Sequence, residues 1–144
     1  MIQALSGIQN TVAALNAERT RLDVISENIA NANTTHGVDG KPYQRKIVVF
    51  ENALQDAMGA DGDNNGSPAP LRVARIEKDT RPPIAVYEPG NPDADARGMV
   101  EMPNINIHEE MADLISASRV FEANLAVVKN EKAMAMQTLA IGKH

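Results

Sequence analysis

NIHEEMADLISASRVFEANLAVVKNEKAMAMQTLAIG, Asn106 to Gly142, reads as one long helix with a narrow apolar seam. With Met111 at heptad position a, the later a positions are Ser118, Leu125, Lys132 and Leu139. The d positions are Ile107, Leu114, Phe121, Val128 and Ala135. Apolar residues recurring every 3.5 positions mark a helix that packs along its length against another helix. Asn106 is placed to cap the N-terminus, and Glu109 completes a capping-box pattern. Glu109, Glu110 and Asp113 fall early and Lys143 late, the charge order that a helix dipole favours, and Gly142 is a natural stop. At 1.5 Å per residue such a helix is roughly 50 Å long, too long and too narrowly apolar to lie wholly inside a small globule.

A second amphipathic stretch spans residues 3–33. Its d-type positions are Ile8, Leu15, Leu22 and Ile29, its a-type positions Leu5, Val12, Arg19 and Ser26, and Ile25 flanks the seam. Polar Arg19 and Ser26 weaken the seam; they either set its register or, for Arg19, snorkel to solvent. Asn31-Ala32-Asn33 should fray this helix and Gly37 should end it.

Between the helices the pattern changes period. Gly37, Asp39-Gly40 and Pro42 mark a loop, and Tyr43–Phe50, with Ile47-Val48-Val49-Phe50, reads as a strand. Glu51–Met58 fits either a short helix or a continuing edge. Residues 59–70 hold Gly, Asp, Asn, Ser and Pro without a large apolar residue, the composition of a mobile loop. Leu71–Glu77, Ile84–Glu88 and Met99–Met102 read as further strands, with a strong turn at Glu88-Pro89-Gly90-Asn91-Pro92. The expectation is an α+β chain: two long terminal helices forming an antiparallel coiled-coil-like pair, with a small β-rich module between them. Its parts are an N-terminal helix in 1–35, a β-rich module in 36–102 and a C-terminal helix in 103–144.

Composition narrows the function. Of 144 residues 43% are hydrophobic but only 3% aromatic, so Ala, Ile, Leu, Val and Met must do most of the packing. A net charge of −5 without a basic patch argues against a nucleic-acid partner. Without cysteine there is neither disulfide nor thiolate chemistry. Residues 1–15 lack the basic start and unbroken apolar core of a secretory signal, and no run approaches a membrane span of about 18 apolar residues. Direct membrane insertion is not expected; the chain is cytosolic, or it leaves by a route that reads no cleavable signal.

Candidate chemistry is thin. Asp61-Gly62-Asp63-Asn64-Asn65-Gly66 matches the start of a calcium loop. The twelfth position, which needs a bidentate Glu, is Arg72, and Pro68 and Pro70 forbid the following helix. His108-Glu109-Glu110 has no second His at helical spacing, and there is no G-x-S-x-G or Walker-type glycine loop. The residues point to no enzyme, no metal and no cofactor. A self-contained soluble adaptor, with a closed helical hairpin and a ligand- or peptide-binding β module, is an alternative; a calcium-responsive module at 61–72 is a weaker one.

Two Asn- and Ala-rich stretches remain: Ser26-Glu27-Asn28-Ile29-Ala30-Asn31-Ala32-Asn33-Thr34 closes the first helix, and Ser118-Arg119-Val120-Phe121-Glu122-Ala123-Asn124 lies midway along the second. Together they resemble the terminal signatures of the bacterial flagellar axial proteins, the rod, hook and hook-associated subunits. Tyr87-Glu88-Pro89-Gly90-Asn91-Pro92, Ala94-Asp95-Ala96, Gly98, Met102-Pro103-Asn104 and Asp39-Gly40-Lys41-Pro42-Tyr43 are similar to the small proximal, C-type rod subunits of that family. The resemblance implies a structural subunit of the periplasmic rod, exported through the flagellar type III channel without a cleaved signal. It implies stacking with copies of itself and other rod subunits, next to basal-body and export-gate components, with helices lining the inner tube and the β module outward. Its work would be to carry torque from the motor to the hook. Asn28, Asn31, Arg119 and Asn124 become candidate inter-subunit contacts. With them go the seam residues Leu5, Ile8, Val12, Leu15, Leu22, Ile25 and Ile29, and Met111, Leu114, Phe121, Leu125, Val128 and Leu139. Export of a partly folded monomer implies terminal helices that fray until assembly orders them.

Overall fold

From Ile2 onward the chain carries no proline for forty residues, and it forms α1, Ile2–Ala30. The computed structural model describes residues 2–37, 39–52 and 71–141. The calcium-like stretch and the expectations for 53–70 lie outside the described residues, as do Gly142 and Lys143. Helix α1 stops before the Asn-rich stretch ends and well before Gly37. Asn31 Nδ2 donates to Glu27 O at 2.9 Å, and Thr34 N and Oγ1 donate to Asn31 O and Oδ1. The Asn31 side chain thus draws the chain into a turn.

Strand β1, Lys46–Asn52, begins three residues later than the expected Tyr43, because Tyr43 and Arg45 are held elsewhere (below). It pairs antiparallel with β2, Leu71–Lys78, from Lys46↔Lys78 to Asn52↔Leu71, with a bulge between Val49 and Phe50. Strand β3, Ile84–Tyr87, pairs antiparallel with β4, Met99–Met102. Among the described residues the β module is therefore two separate two-stranded sheets. The β3–β4 connection closes through Glu88 N to Gly98 O and Asp95 N to Met99 O. Gly98 takes φ +77°, and a Cβ there would lie 3.0 Å from Tyr87 and 3.1 Å from Pro89, so the turn needs glycine.

Helix α2, Ile107–Ile141, starts on Asn106, whose Oδ1 accepts the His108 N–H at 3.1 Å. Helices α1 and α2 run antiparallel. Asn28 near the end of α1 bonds Glu110 near the start of α2, and a Cβ on Gly7 would meet Glu131 at 3.4 Å. The β1–β2 hairpin packs on α1 as well. The interior is built of small side chains, with Ala17, Val24, Ile25, Ala32, Val100 and Ala117 buried.

Candidate assembly surface

Where α1, β1 and α2 meet, the chain builds a polar knot. Asn28 is 1% exposed. Its Nδ2 donates to Lys46 O at 2.9 Å and to Glu110 Oε2 at 3.1 Å. Its Oδ1 accepts from Lys46 N at 2.9 Å and Tyr43 Oη at 3.0 Å. Two donors and two acceptors are the whole capacity of an asparagine amide, and all four are used inside the chain. Glu110, also 1% exposed, takes a charge-assisted bond from Arg45 Nε on its other oxygen at 2.6 Å. Arg45 reaches on to Asp79 at 3.6 Å and Asp113 at 3.9 Å, and Lys46 Nζ pairs with Glu27.

The charges in the knot hold one another. Tyr43 is pushed up to about 12, first by burial, then by the charges of Glu27 and Glu110. Asp79 sits below the usual carboxylate range because the Arg81 side chain and backbone N–H bond it, which outweighs the opposing effect of burial, with the charges of Arg81 and Arg45 adding lesser attraction. The guanidinium of Arg81 is raised in turn by Asp79.

The knot sets the rotation of α2. With Glu110 turned inward, the buried and half-buried stripe runs Glu110, Leu114, Ala117, Phe121, Asn124, Val128, Glu131. It joins the d positions Leu114, Phe121 and Val128 to the residues one position before a, while Ile107 and Ala135 at the ends of the d column are exposed. The apolar a positions face out: Met111 is 51% exposed, Leu125 37% and Leu139 65%, with Ser118 between them half-buried. Helix α1 does the same. Ile8, Leu15, Leu22 and Ile29 are half-buried, whereas Val12, Arg19 and Ser26 are exposed. The seam expected at a and d is thus displaced by one residue, and residues of low apolar content, Ala117, Asn124 and Glu131, occupy its inner side. Among the described residues, the Oε2 atoms of Glu18 and Glu131 are buried without a hydrogen bond.

The candidate contacts fall into groups. Asn28 and Ile25 are buried; Ile8, Leu15, Leu22, Ile29, Asn31, Leu114, Phe121, Asn124 and Val128 are half-buried. Val12, Met111, Arg119, Leu125 and Leu139 are exposed, and Leu5 lies outside the residues whose side chains are described. Sequence reasoning did not single out Tyr43, Arg45, Lys46, Asp79 or Glu110 for the knot. The heptad pattern gave no signal for it, because Glu110 lies outside the expected a and d columns. No three His, Asp or Glu side chains among the described residues are arranged to hold a metal. A cleft of about 300 Å³ beside the knot is walled by Val24, Ile25 and Phe50 and edged by Arg21 and Asp113.

Two family models match: one for flagella basal body rod proteins over residues 8–37, and one for the C-terminal part of flagellar basal body rod FlgEFG proteins over residues 96–141. Among relatives named flagellar basal-body rod protein FlgC, that of Borreliella burgdorferi is 42% identical over 145 residues, 94% of this chain and 95% of its own. That of Salmonella typhimurium is 43% identical over 131 residues, 91% and 92% of the two chains. That of Bacillus subtilis is 38% identical over 152 residues, 97% and 99%. The chain belongs to the flagellar basal-body rod protein FlgC family. As a member it is a structural subunit of the flagellar basal-body rod and not an enzyme. The matched segments cover most of α1 and all of α2. No described helix is long and apolar enough to cross a membrane.

Proposed function

We propose that the chain is a load-bearing unit of the periplasmic rod. In this reading α1 and α2 form a coiled-coil-like pair that stacks with copies of itself and with other rod subunits. The β module faces outward, and the stack carries motor torque to the hook. The observation that carries the reading is the outward a column. A helix whose apolar face is not covered in its own chain needs another surface to cover it. The antiparallel pair also suits the mechanical task, because long helices packed side by side deform little. Export through the flagellar type III channel in a partly folded state fits a pair held by a seam of small and polar residues and closed by no disulfide. Neighbouring basal-body and export-gate components are then the first surfaces the chain meets.

The test is complementation. In cells lacking the gene, the wild-type chain should restore swimming. Leu125→Asp, at an exposed position of the a column, should leave the purified chain helical by circular dichroism but yield truncated rods and no swimming. Full swimming with Leu125→Asp would remove the reading. The self-contained adaptor is the weaker reading, since it leaves the a column without a use.

A further inference from the structure

We propose that Glu110 is a catch that holds α2 in one of two rotational settings on α1. In the setting seen here the apolar a positions face outward. In the other, α2 has turned until its a and d positions meet α1 and the chain seals its own seam. The use of the catch, an apolar column kept open for neighbours, rests on the rod reading.

The two settings are near neighbours. Leu114, Phe121 and Val128 line the inner side now and would line it still, because the d positions belong to both seams. Their company changes: Glu110, Ala117, Asn124 and Glu131 in one setting, Met111, Ser118, Leu125 and Lys132 in the other. At 3.6 residues per turn the centre of the seam moves by about 50° between them. The close approach of the helices survives the turn. Ala117 is fully buried and Ser118 follows it, so each setting offers a small side chain at that level. Lys132 would lay its stem along the seam and lift its ammonium to the rim, beside the stretch Ile2–Ala17 of α1, which carries no charge.

Away from the knot, burial favours the sealed setting. It would cover Met111 and Leu125, exposed now, and turn Glu131, whose Oε2 is buried without a hydrogen bond, toward water. At the knot the preference reverses. Glu110 holds Arg45 Nε on one oxygen and Asn28 Nδ2 on the other. A turn of α2 carries the carboxylate away from Asn28, whose short side chain cannot follow because it also clasps Lys46 and Tyr43. The two preferences act on one helix, and packed helices settle into discrete arrangements rather than intermediate ones. A buried ionic tie adds little net stability, and its use here is to select one arrangement over a close alternative.

Because the chain lacks cysteine, one introduced thiol reports on each face. In full-length chains Leu125→Cys should react with a maleimide quickly and Ala117→Cys slowly. Adding Glu110→Arg, which sets two guanidinium groups against each other, should exchange them. Position 125 becomes at least tenfold slower and position 117 at least tenfold faster, with helix content by circular dichroism retained. Arg45→Ala loosens the catch without placing a new charge inside, and should shift both rates in the same directions by a smaller factor. Glu110→Gln keeps the shape and an acceptor oxygen, and should leave the parent pattern. Two thiols that become reactive together, or rates that Glu110→Arg and Arg45→Ala leave unchanged, would overturn the catch. The rod reading fails separately. Thiols that do not exchange, in a chain that cells still build into rods, remove the catch and leave the rod subunit standing, whereas intact rods in cells lacking the gene would remove the rod reading itself.

Discussion

Asn28 is the residue on which most polar ties converge. Replacing it with Ala strands the Lys46 N–H and carbonyl, the Tyr43 hydroxyl and one oxygen of Glu110 in a place where water has little access. Each buried polar group left unpaired costs about 1–3 kcal/mol, so Asn28→Ala should cost about 3 kcal/mol or more, read as a lowered urea midpoint. Tyr43 gives the knot a pH signature. Its folded value is raised to about 12, above the unfolded value of about 10. Its stabilising effect is therefore complete below pH 10 and is lost as pH rises from about 10 to about 12. Ionisation also removes the proton it donates to Asn28. Tyr43→Phe should flatten the fall in melting temperature over that window, while costing about 1 kcal/mol at neutral pH through the lost hydrogen bond. At the acid side the sign is opposite. Asp79 is lowered, so its contribution holds above the ordinary carboxylate value of about 3.9 and fades as pH falls through the folded value. The resemblance to the axial proteins singled out Asn28 as a contact between subunits, but its partners within the chain lie 15 to 82 positions away, and no local pattern encodes such a meeting.

At the scale of elements, existence was legible and rotation was not. Helical period, Pro and Gly punctuation and β-branched runs place both helices and all four strands within a few residues, because those signals are local. Which face of α2 turns inward is a tertiary decision, made by Arg45 and Asn28 gripping Glu110. The heptad pattern prefers Met111 inside; the buried ion pair puts its neighbour there instead. The N-terminal Asn106 cap was local and therefore readable, and Asn106→Ala should cost about 1 kcal/mol, measured by chemical denaturation. Ala117 is the counterpart of the knot farther along. It is 0% exposed, and its small side chain permits the close approach of α1 that the displaced seam requires. Ala117→Leu should destabilise by about 1–3 kcal/mol through overpacking, whereas Leu125→Ala on the exposed side should stay within about 0.5 kcal/mol in the monomer. Equal effects from the two changes in a thermal melt would contradict the displaced seam.

Across the whole molecule the two ends of the helix pair are closed differently. Among the described residues, Asn28, Lys46, Arg45 and Glu110 tie α1, the β module and α2 together at one end. At the other end Gly7 lies beside Glu131, one of whose oxygens is buried without a hydrogen bond. Burying a carboxylate without a full set of donors is unfavourable, and Met134, Met136 and Leu139 beyond it point outward. Local opening should follow that gradient, since segments with few buried contacts open at lower free energy than the rest. In dilute purified chain, amides of Val24–Ile29 and Leu114–Phe121 should exchange slowest, and those of Gly7–Val12 and Val128–Leu139 should exchange faster by orders of magnitude. Both helices should become uniformly protected once the chain is assembled. Uniform strong protection in the monomer would mean that the far end is already closed, and the case for assembly completing it would fail. Under the proposed function the same gradient serves two demands on one chain: a firm end that keeps the β module at a fixed place on the helices, and a loose end for export and for closure against neighbouring subunits.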